Sequence, residues 1–398
     1  MQFYIETLGC QMNVLDSELA ASALIRSGMT PANDKFDADV ILFNTCSVRQ
    51  HAEEKVYSAL GRLKNWKEKK PYSVLGVLGC MAQREQNNIF RRVPFVDLVL
   101  GPGSLNVLAE TVHQLFDDKV AGFKKDLQKS PKKLIVGIDR KGHRHNELVE
   151  SYRLYSPQRT QDIDTVKSEQ PSLVRVIFGC NQFCSYCIVP YVRGPEQSRP
   201  ADEIITEVKS LVQQGVTKMT FIGQTVNSYS FQSGGKTVKL ADLLYMASEV
   251  SGLEQLDFIT GYPQGVDDAL LQAVRDLPNV VKHFHIPAQS GSDSVLQRMN
   301  RHYTSAEYRE LADRIYSTIP GSGLTSDFIV GFCVETDAEF EATVDLVRYC
   351  RFRNSFIFKY SVREGTKSAE LYADDVPEEV KKYRNSRLLD ECRQHSGG

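Results

Sequence analysis

The chain has 398 residues, room for two to three domains at roughly 150 residues each. Lys and Arg total 48 against 50 Asp and Glu, a net charge of -2, so a nucleic-acid partner would have to be met by a local basic patch rather than by the field of the whole molecule. With 41% hydrophobic and 25% charged residues, the composition excludes a largely disordered or collagen-like chain.

The opening segment Met1–Glu6 carries an acid and no long apolar run, and nowhere do eighteen apolar residues follow one another. Neither a signal peptide nor a membrane span is expected, and the chain reads as cytoplasmic, with no membrane partner. Nine cysteines are too sparse for a disulfide scaffold, and clustered cysteines in a reducing compartment more often bind metal or catalyse.

From the amino terminus to residue 118, apolar runs alternate with helical periodicity: Gln2–Thr7, Asp16–Ser27, Val40–Asn44, Ala52–Lys69, Ser73–Leu78 and Val96–Leu100. This pattern predicts an open parallel sheet with crossover helices. Three of the strands run into cysteines: Leu8-Gly9-Cys10, Asn44-Thr45-Cys46 and Leu78-Gly79-Cys80. In open parallel sheets ligands bind beyond the carboxyl ends of the strands, so these three thiols can converge although 36 and 34 positions separate them in sequence.

Residues 119–170 change character. Lys124-Lys125, Lys129, Lys132-Lys133 and Arg140-Lys141-Gly142-His143-Arg144 form a basic, poorly periodic stretch with one apolar run, Leu134–Ile138. It reads as a linker or inserted hairpin, either a solvated spacer or an RNA-contacting arm. Residues 171–372 resume the alternation, with strands at Leu173–Phe178, Lys218–Ile222, Leu256–Ile259, Lys282–Ile286, Gly323–Val330 and Ser355–Tyr360. Helices are expected at Pro200–Gln214, Leu240–Ser251, Asp267–Asp276, Ser305–Ser317 and Asp337–Cys350. Six strands suit a partial, TIM-like (β/α)6 barrel, whose chemistry sits on the loops after the strands. A last charged helix is expected in residues 373–398, and the fold class overall is α/β.

The sharpest motif is Gly179-Cys180-Asn181-Gln182-Phe183-Cys184-Ser185-Tyr186-Cys187. C-x3-C-x2-C directly after a strand puts three soft ligands on one tight loop, which suits an iron-sulfur cluster. A structural zinc site would want a fourth ligand. On a four-iron cluster, three cysteines leave one iron without a protein ligand, open to a small chelating cofactor.

This loop, with Tyr186 before the last cysteine, resembles the radical S-adenosylmethionine superfamily. Together with Gln11-Met12-Asn13 after the first cysteine, Cys46-Ser47-Val48-Arg49 and Cys80-Met81-Ala82-Gln83, it resembles the methylthiotransferase family, in its branch acting on a hypermodified adenosine in tRNA rather than on a ribosomal protein. The resemblance implies two [4Fe-4S] clusters. Cys180, Cys184 and Cys187 would hold the catalytic one, and Cys10, Cys46 and Cys80 the auxiliary, sulfur-carrying one. It further implies two S-adenosylmethionine molecules per turnover, one methylating sulfur and one giving the radical that takes hydrogen from C2 of N6-dimethylallyladenosine beside the anticodon. A C2–H bond is not acidic enough for a side-chain base, which agrees with a radical route. The implied partners are the tRNA anticodon stem-loop and a flavodoxin- or ferredoxin-type electron donor, with the enzyme a monomer.

The same resemblance makes Tyr186, Gln224, Ser290 and Gly331 cofactor-binding. Gln224 lies in Gly223-Gln224-Thr225, where Thr225 replaces a usual Asn. Ser290 lies in Ala288-Gln289-Ser290-Gly291, and Gly331 in Gly331-Phe332-Cys333-Val334-Glu335, where Cys333 and Val334 replace Pro-Gly. His283 and His285 are expected to be packed rather than catalytic, Cys333, Cys350 and Cys392 to be unliganded, and Trp66 to be a partly exposed helix residue. The family usually ends in a small β-barrel RNA-binding (TRAM) domain, which the resemblance does not reach here. Either the sequence is truncated or RNA is gripped elsewhere, the basic stretch around Lys129, Lys132, Lys133, Arg140, Lys141 and Arg144 being the candidate. A methylthiotransferase acting on a ribosomal protein or on a related hypermodified adenosine, and a non-catalytic iron-sulfur protein, are the competing readings.

Overall fold

The computed structural model describes residues 1–46, 50–124, 133–136, 152–156 and 170–395. The chain folds as two compact units. Residues 1–169 form the first together with Tyr191–Pro195, and residues 170–190 and 196–398 form the second.

The first unit is built on a six-stranded, all-parallel sheet of β1 (Gln2–Leu8), β2 (Thr30–Pro31), β3 (Val40–Thr45), β4 (Val74–Gly79), β5 (Leu98–Leu100) and β6 (Leu134–Val136). The order across the sheet is β2-β1-β3-β4-β5-β6, a doubly wound arrangement whose direction of winding reverses between β1 and β3. Every residue of β3 and β4 is buried. That explains why Val40-Ile41-Leu42-Phe43 and Val74-Leu75 read as continuous rather than alternating apolar runs, since a parallel sheet is covered on both faces.

Three details of this unit differ from the sequence expectation. The stretch Ala52–Lys69 is two helices, Gln50–Arg62 and Lys64–Lys69, because the chain turns at Leu63, whose side chain is buried in the core. Trp66 is 5% exposed within that same core, so it is a packing residue with no face left for a base to stack on. Its position on the short second helix turns it inward, which a single continuous helix hides. Leu134–Val136, read as part of a linker or inserted hairpin, instead adds parallel to β5. The backbone pairing extends the parallel sheet by a sixth strand, and the preceding helix runs on to Lys124. Lys133 is exposed and lies over the Phe90 ring at 5.4 Å. Lys129, Lys132, Arg140, Lys141 and Arg144 lie outside the described residues.

The second unit carries β7 (Ser172–Arg175), β8 (Ile177–Phe178), β9 (Gln197–Ser198), β10 (Lys218–Ile222), β11 (Ser230–Ser233), β12 (Lys236–Lys239), β13 (Gln255–Ile259), β14 (His283–His285), β15 (Gly323–Val330) and β16 (Asn354–Lys359). Two parallel three-stranded sheets, β13-β10-β7 and β14-β15-β16, meet through the parallel bridge Leu256–Val280. The six strands therefore run β7-β10-β13-β14-β15-β16 with helices between them, a partial (β/α)6 barrel. The outward residues Met219, Phe221, Leu256, Phe258, Phe284 and Phe328 pack under the helices in one continuous core. Local chemistry sets the helix starts. Thr304 and Thr336 each accept the amide of the glutamate three residues on, and Glu307 and Glu339 return the bond to the cap amides, the reciprocal capping that Thr-x-x-Glu encodes. The β11–β12 hairpin, absent from the sequence expectation, turns on Gly234-Gly235, both at positive φ. The helix Glu378–His395 closes the described chain. No described helix is long and apolar enough to cross a membrane.

Candidate functional site

In the first unit, Cys10, Cys46 and Cys80 directly follow β1, β3 and β4, three adjacent strands, and the winding reverses between the first two. Two asparagines tie the loops together. Asn13 Oδ1 faces the Cys10 amide and thiol at 3.4 and 3.3 Å. Asn13 Nδ2 donates to Asn44 Oδ1 at 3.1 Å, while Asn44 Nδ2 returns a bond to the Asn13 carbonyl at 2.9 Å. Thr45 Oγ1 donates to the Leu78 carbonyl at 2.9 Å, joining the end of β3 to that of β4. Gly79 has φ +90°, and a Cβ there would lie 2.4 Å from Asn44 Oδ1. Only glycine lets the Cys80 loop approach so closely.

Two of the three thiols, Cys10 and Cys46, meet directly. Cys46 and Cys80 are buried and Cys10 is exposed at the loop. The hydrogen bond with Cys46 first, and then the Arg193 charge, bring the Cys10 thiol down to about 5. Burial pushes the Cys80 thiol up, against the pull of Arg193. Arg193 and Asp16, both buried, pair at 2.8 Å beside them. Sequence reading missed these two residues, because nothing in the spacing links position 16 to position 193.

In the second unit the Cys180–Cys187 loop leaves the barrel after β8. Backbone amides point at two of its sulfurs, Gln182 N–H at Cys180 Sγ at 3.5 Å and Val189 N–H at Cys187 Sγ at 3.4 Å. Arg301 Nη1 donates to Cys184 Sγ at 3.5 Å. Thr225 Oγ1 lies 3.6 Å from Cys180 Sγ, so the residue that departs from the family pattern sits against a ligand candidate. Ser185 fixes the loop, its amide on the Met299 carbonyl at 2.9 Å and its hydroxyl on the Arg298 carbonyl at 2.8 Å. Burial raises Cys180 and Cys187 above the ordinary thiol range. Both would be neutral until a metal displaced their protons.

Of the four cofactor candidates, Tyr186 packs against the apolar cluster of Val295, Met299, Phe332, Cys333 and Tyr360. Gln224 is half-buried just past β10. Ser290 is 1% exposed, its hydroxyl 3.2 Å from Thr343 Oγ1 and accepting the Ser292 amide. It holds its loop to the helix Asp337–Cys350, a job the motif alone does not reveal. Gly331 has φ +67°, but its close neighbours are Lys381, 2.3 Å from where a Cβ would stand, and Glu335, which accepts its amide at 2.6 Å. The close approach expected of a cofactor is thus made by the last helix. Gln289, in the motif from which only Ser290 was singled out as cofactor-binding, has φ +65° and a buried Oε1 with no hydrogen-bond partner. Such an atom is costly unless a bound group completes it. His283 and His285 each hydrogen-bond Thr325 Oγ1 at 3.0 Å, and Cys350 and Cys392 lie in the barrel core.

Both cysteine groups fit iron-sulfur clusters in their donor set: three soft thiols at adjacent strand ends beside a buried guanidinium, and three on one loop ringed by N–H donors. Among the described residues no three His, Cys, Asp or Glu side chains already stand as a finished metal shell.

Comparison with known proteins agrees with this division. Residues 2–101 match a family described as uncharacterized protein family UPF0004, and residues 174–347 match the radical SAM superfamily. The tRNA-2-methylthio-N(6)-dimethylallyladenosine synthase of Rhodopirellula baltica is 45% identical over 97% of this chain and 78% of its own length. The protein of the same name from Desulforamulus reducens is 40% identical over 98% and 79%. Among solved structures, the radical S-adenosylmethionine methyltransferase TsrM of Kitasatospora setae superposes with a TM-score of 0.60, at 11% identity over 92% of this chain and 77% of that one, a likeness of fold. On these grounds the chain belongs to the radical SAM family of tRNA-2-methylthio-N(6)-dimethylallyladenosine synthases.

Proposed function

We propose that this protein is a transferase that places a methylthio group on C2 of N6-dimethylallyladenosine beside the anticodon of tRNA. One observation carries the reading. Two separate three-cysteine groups occupy the two places where α/β folds bind ligands, the reversal point of the doubly wound sheet and a loop beyond the barrel strands.

Cys180, Cys184 and Cys187 would hold one [4Fe-4S] cluster with S-adenosylmethionine, and Cys10, Cys46 and Cys80 the other. When bound, these groups supply the one-electron chemistry and the sulfur that exchange an aromatic C–H for C–S, which no side chain of the chain can do. The chain's own residues prepare the site. Arg301 is enclosed by the rings of Tyr262 and Tyr303 at 4.5 and 4.9 Å and offers a fixed cation to Cys184, and the Gln182 and Val189 amides favour the thiolate forms of Cys180 and Cys187. Gln289 Oε1 is available to accept an N–H of the cofactor. Burial of Cys180 and Cys184 keeps water from the reactive centre.

The tRNA is held at its anticodon stem-loop, whose target base, already single-stranded, costs least to unstack. A flavodoxin- or ferredoxin-type protein supplies electrons to the monomeric enzyme in the cytoplasm, where nine free thiols stay reduced. The test is an anaerobic assay of reconstituted protein with S-adenosylmethionine, reductant, and either tRNA containing dimethylallyladenosine or the small-subunit ribosomal protein methylthiolated by related enzymes. Methylthiolated nucleoside from the tRNA arm alone is expected. Product only in the protein arm would reject the assignment.

A further inference from the structure

Arg193 lies just beyond the Cys180–Cys187 loop in sequence, yet the segment Tyr191–Pro195 packs as part of the first unit. Its side chain is 4% exposed, and one nitrogen donates to Asp16 Oδ2 at 2.8 Å. Asp16, at 3%, sits on the helix that Cys10 begins. The guanidinium charge bears on both neighbouring thiols, pulling Cys80 down against burial and lowering Cys10. Burying a cation is costly, and the fork of an arginine can be shared between a carboxylate on one side and sulfur on the other. Asp16 supplies one partner. The Cys10–Cys80 side is where negative charge would gather, since three thiolates outweigh the positive charge of an oxidised four-iron core.

We infer that Arg193, clamped by Asp16, is a positioning residue for the first cysteine group, a fixed cation that hydrogen-bonds its sulfur and sets the reduction potential of the cluster held there. The inference rests on the reading that Cys10, Cys46 and Cys80 hold that cluster. Hydrogen bonds to sulfur and local net charge are among the main controls on such potentials, and partners behind the ligands commonly tune the metal they surround. A guanidinium donating to Cys80 stabilises the reduced, more negative cluster, and Asp16 tempers the effect by drawing off part of the charge.

The experiment uses the full chain carrying Cys180→Ala, Cys184→Ala and Cys187→Ala, reconstituted anaerobically with iron and sulfide so that only the first group binds a cluster. Its potential is read by redox titration followed by electron paramagnetic resonance. Asp16→Asn combined with Arg193→Gln removes both charges together, leaving no uncompensated ion in the interior, and should keep the iron while shifting the potential to more negative values. Asp16→Asn alone should shift it the other way, because the guanidinium charge then falls wholly on the sulfurs. Arg193→Lys, which keeps the charge and loses the fork, should give a smaller negative shift and serves if the double variant does not fold. A merely structural ion pair would not produce shifts of opposite sign. Unchanged potentials with iron retained would overturn the inference alone, whereas absence of iron from the parent variant would overturn the cysteine assignment beneath it and the inference with it.

Discussion

Cys46 and Cys184 are both buried thiols, but they stand in different units with different neighbours, and their loss should have different consequences. Cys184 receives Arg301 and shares its loop with Cys180 and Cys187. Replacing it by Ala should abolish reductive cleavage of S-adenosylmethionine and, with it, all product. Cys46 partners Cys10 beyond the carboxyl ends of β1 and β3, so Cys46→Ala should still cleave the cofactor yet transfer no sulfur. Chromatography of the 5'-deoxyadenosine formed alongside the tRNA nucleosides distinguishes the two, and equal loss of cleavage in both would point to a single shared cluster. Gly79 offers a test of position rather than chemistry. At φ +90°, with Asn44 Oδ1 and the Thr45 carbonyl 2.4 and 2.8 Å from an added Cβ, Gly79→Ala combines backbone strain with a clash. A loss of about 2 kcal/mol or more is expected in denaturant unfolding, together with weaker retention of the first group's iron while the second group's is kept.

At the scale of elements, one buried ion network joins the amino ends of β4 and β5, and a half-buried one stands behind the second cysteine loop. Asp97, 1% exposed at the start of β5, takes Lys119 at 2.5 Å and Lys67 on its two carboxylate oxygens and accepts the Leu75 amide at 2.8 Å. Asp97→Asn would leave two ammonium groups facing each other without compensation. A loss of roughly 3–5 kcal/mol is expected, measurable by urea unfolding, and a change under 1 kcal/mol would mean that water reaches the lysines. In the second unit Glu339 takes both nitrogens of the Arg298 fork at 3.0 Å, and the Arg298 carbonyl holds Ser185 of the cysteine loop. Burial alone would raise Glu339, but Arg298, the Ser294 hydroxyl and the Thr336 amide bring it down to about 2. A carboxyl lowered on folding stabilises above its unfolded value near 4.5 and loses that contribution as pH falls toward 2. Glu339→Gln should therefore cost stability at pH 6 and progressively less as pH falls below 4.5 toward 2, where the unfolding curves of the two proteins converge. A constant difference across that range would mean that Glu339 is not ionised in the pair.

The elements themselves were largely legible. Asp337–Cys350 and Gly323–Val330 match the helix and strand read from periodicity, and Thr336-x-x-Glu339 announces its helix through capping chemistry. The break at Leu63 was not legible, since helical periodicity continues through it. Neither was the strand Leu134–Val136, three apolar residues set in a basic stretch that only pairing with Leu98–Leu100 makes regular. The loop positions of the six cysteines were legible, Cys10, Cys46 and Cys80 because each follows its own apolar run and Cys180, Cys184 and Cys187 because they share one short loop. Their supporting partners were not, since Asn44 meets Asn13 across 31 positions and Arg193 meets Asp16 across 177.

For the whole molecule the division of labour is countable. Two three-cysteine groups in two units should give about eight irons per anaerobically reconstituted chain, and about four after Cys10, Cys46 and Cys80 are all changed to Ala. Zinc in place of iron would reject the cluster reading. The most direct measurement is made on tRNA from a bacterial host lacking its own 2-methylthio activity, expressing either this chain or its Cys184→Ala variant. The nucleosides are digested and separated by mass spectrometry. Dimethylallyladenosine should be converted to its 2-methylthio derivative with the unaltered chain and accumulate unmodified with the variant. Accumulation of dimethylallyladenosine in both hosts, with the chain expressed and loaded with iron, would contradict the assignment.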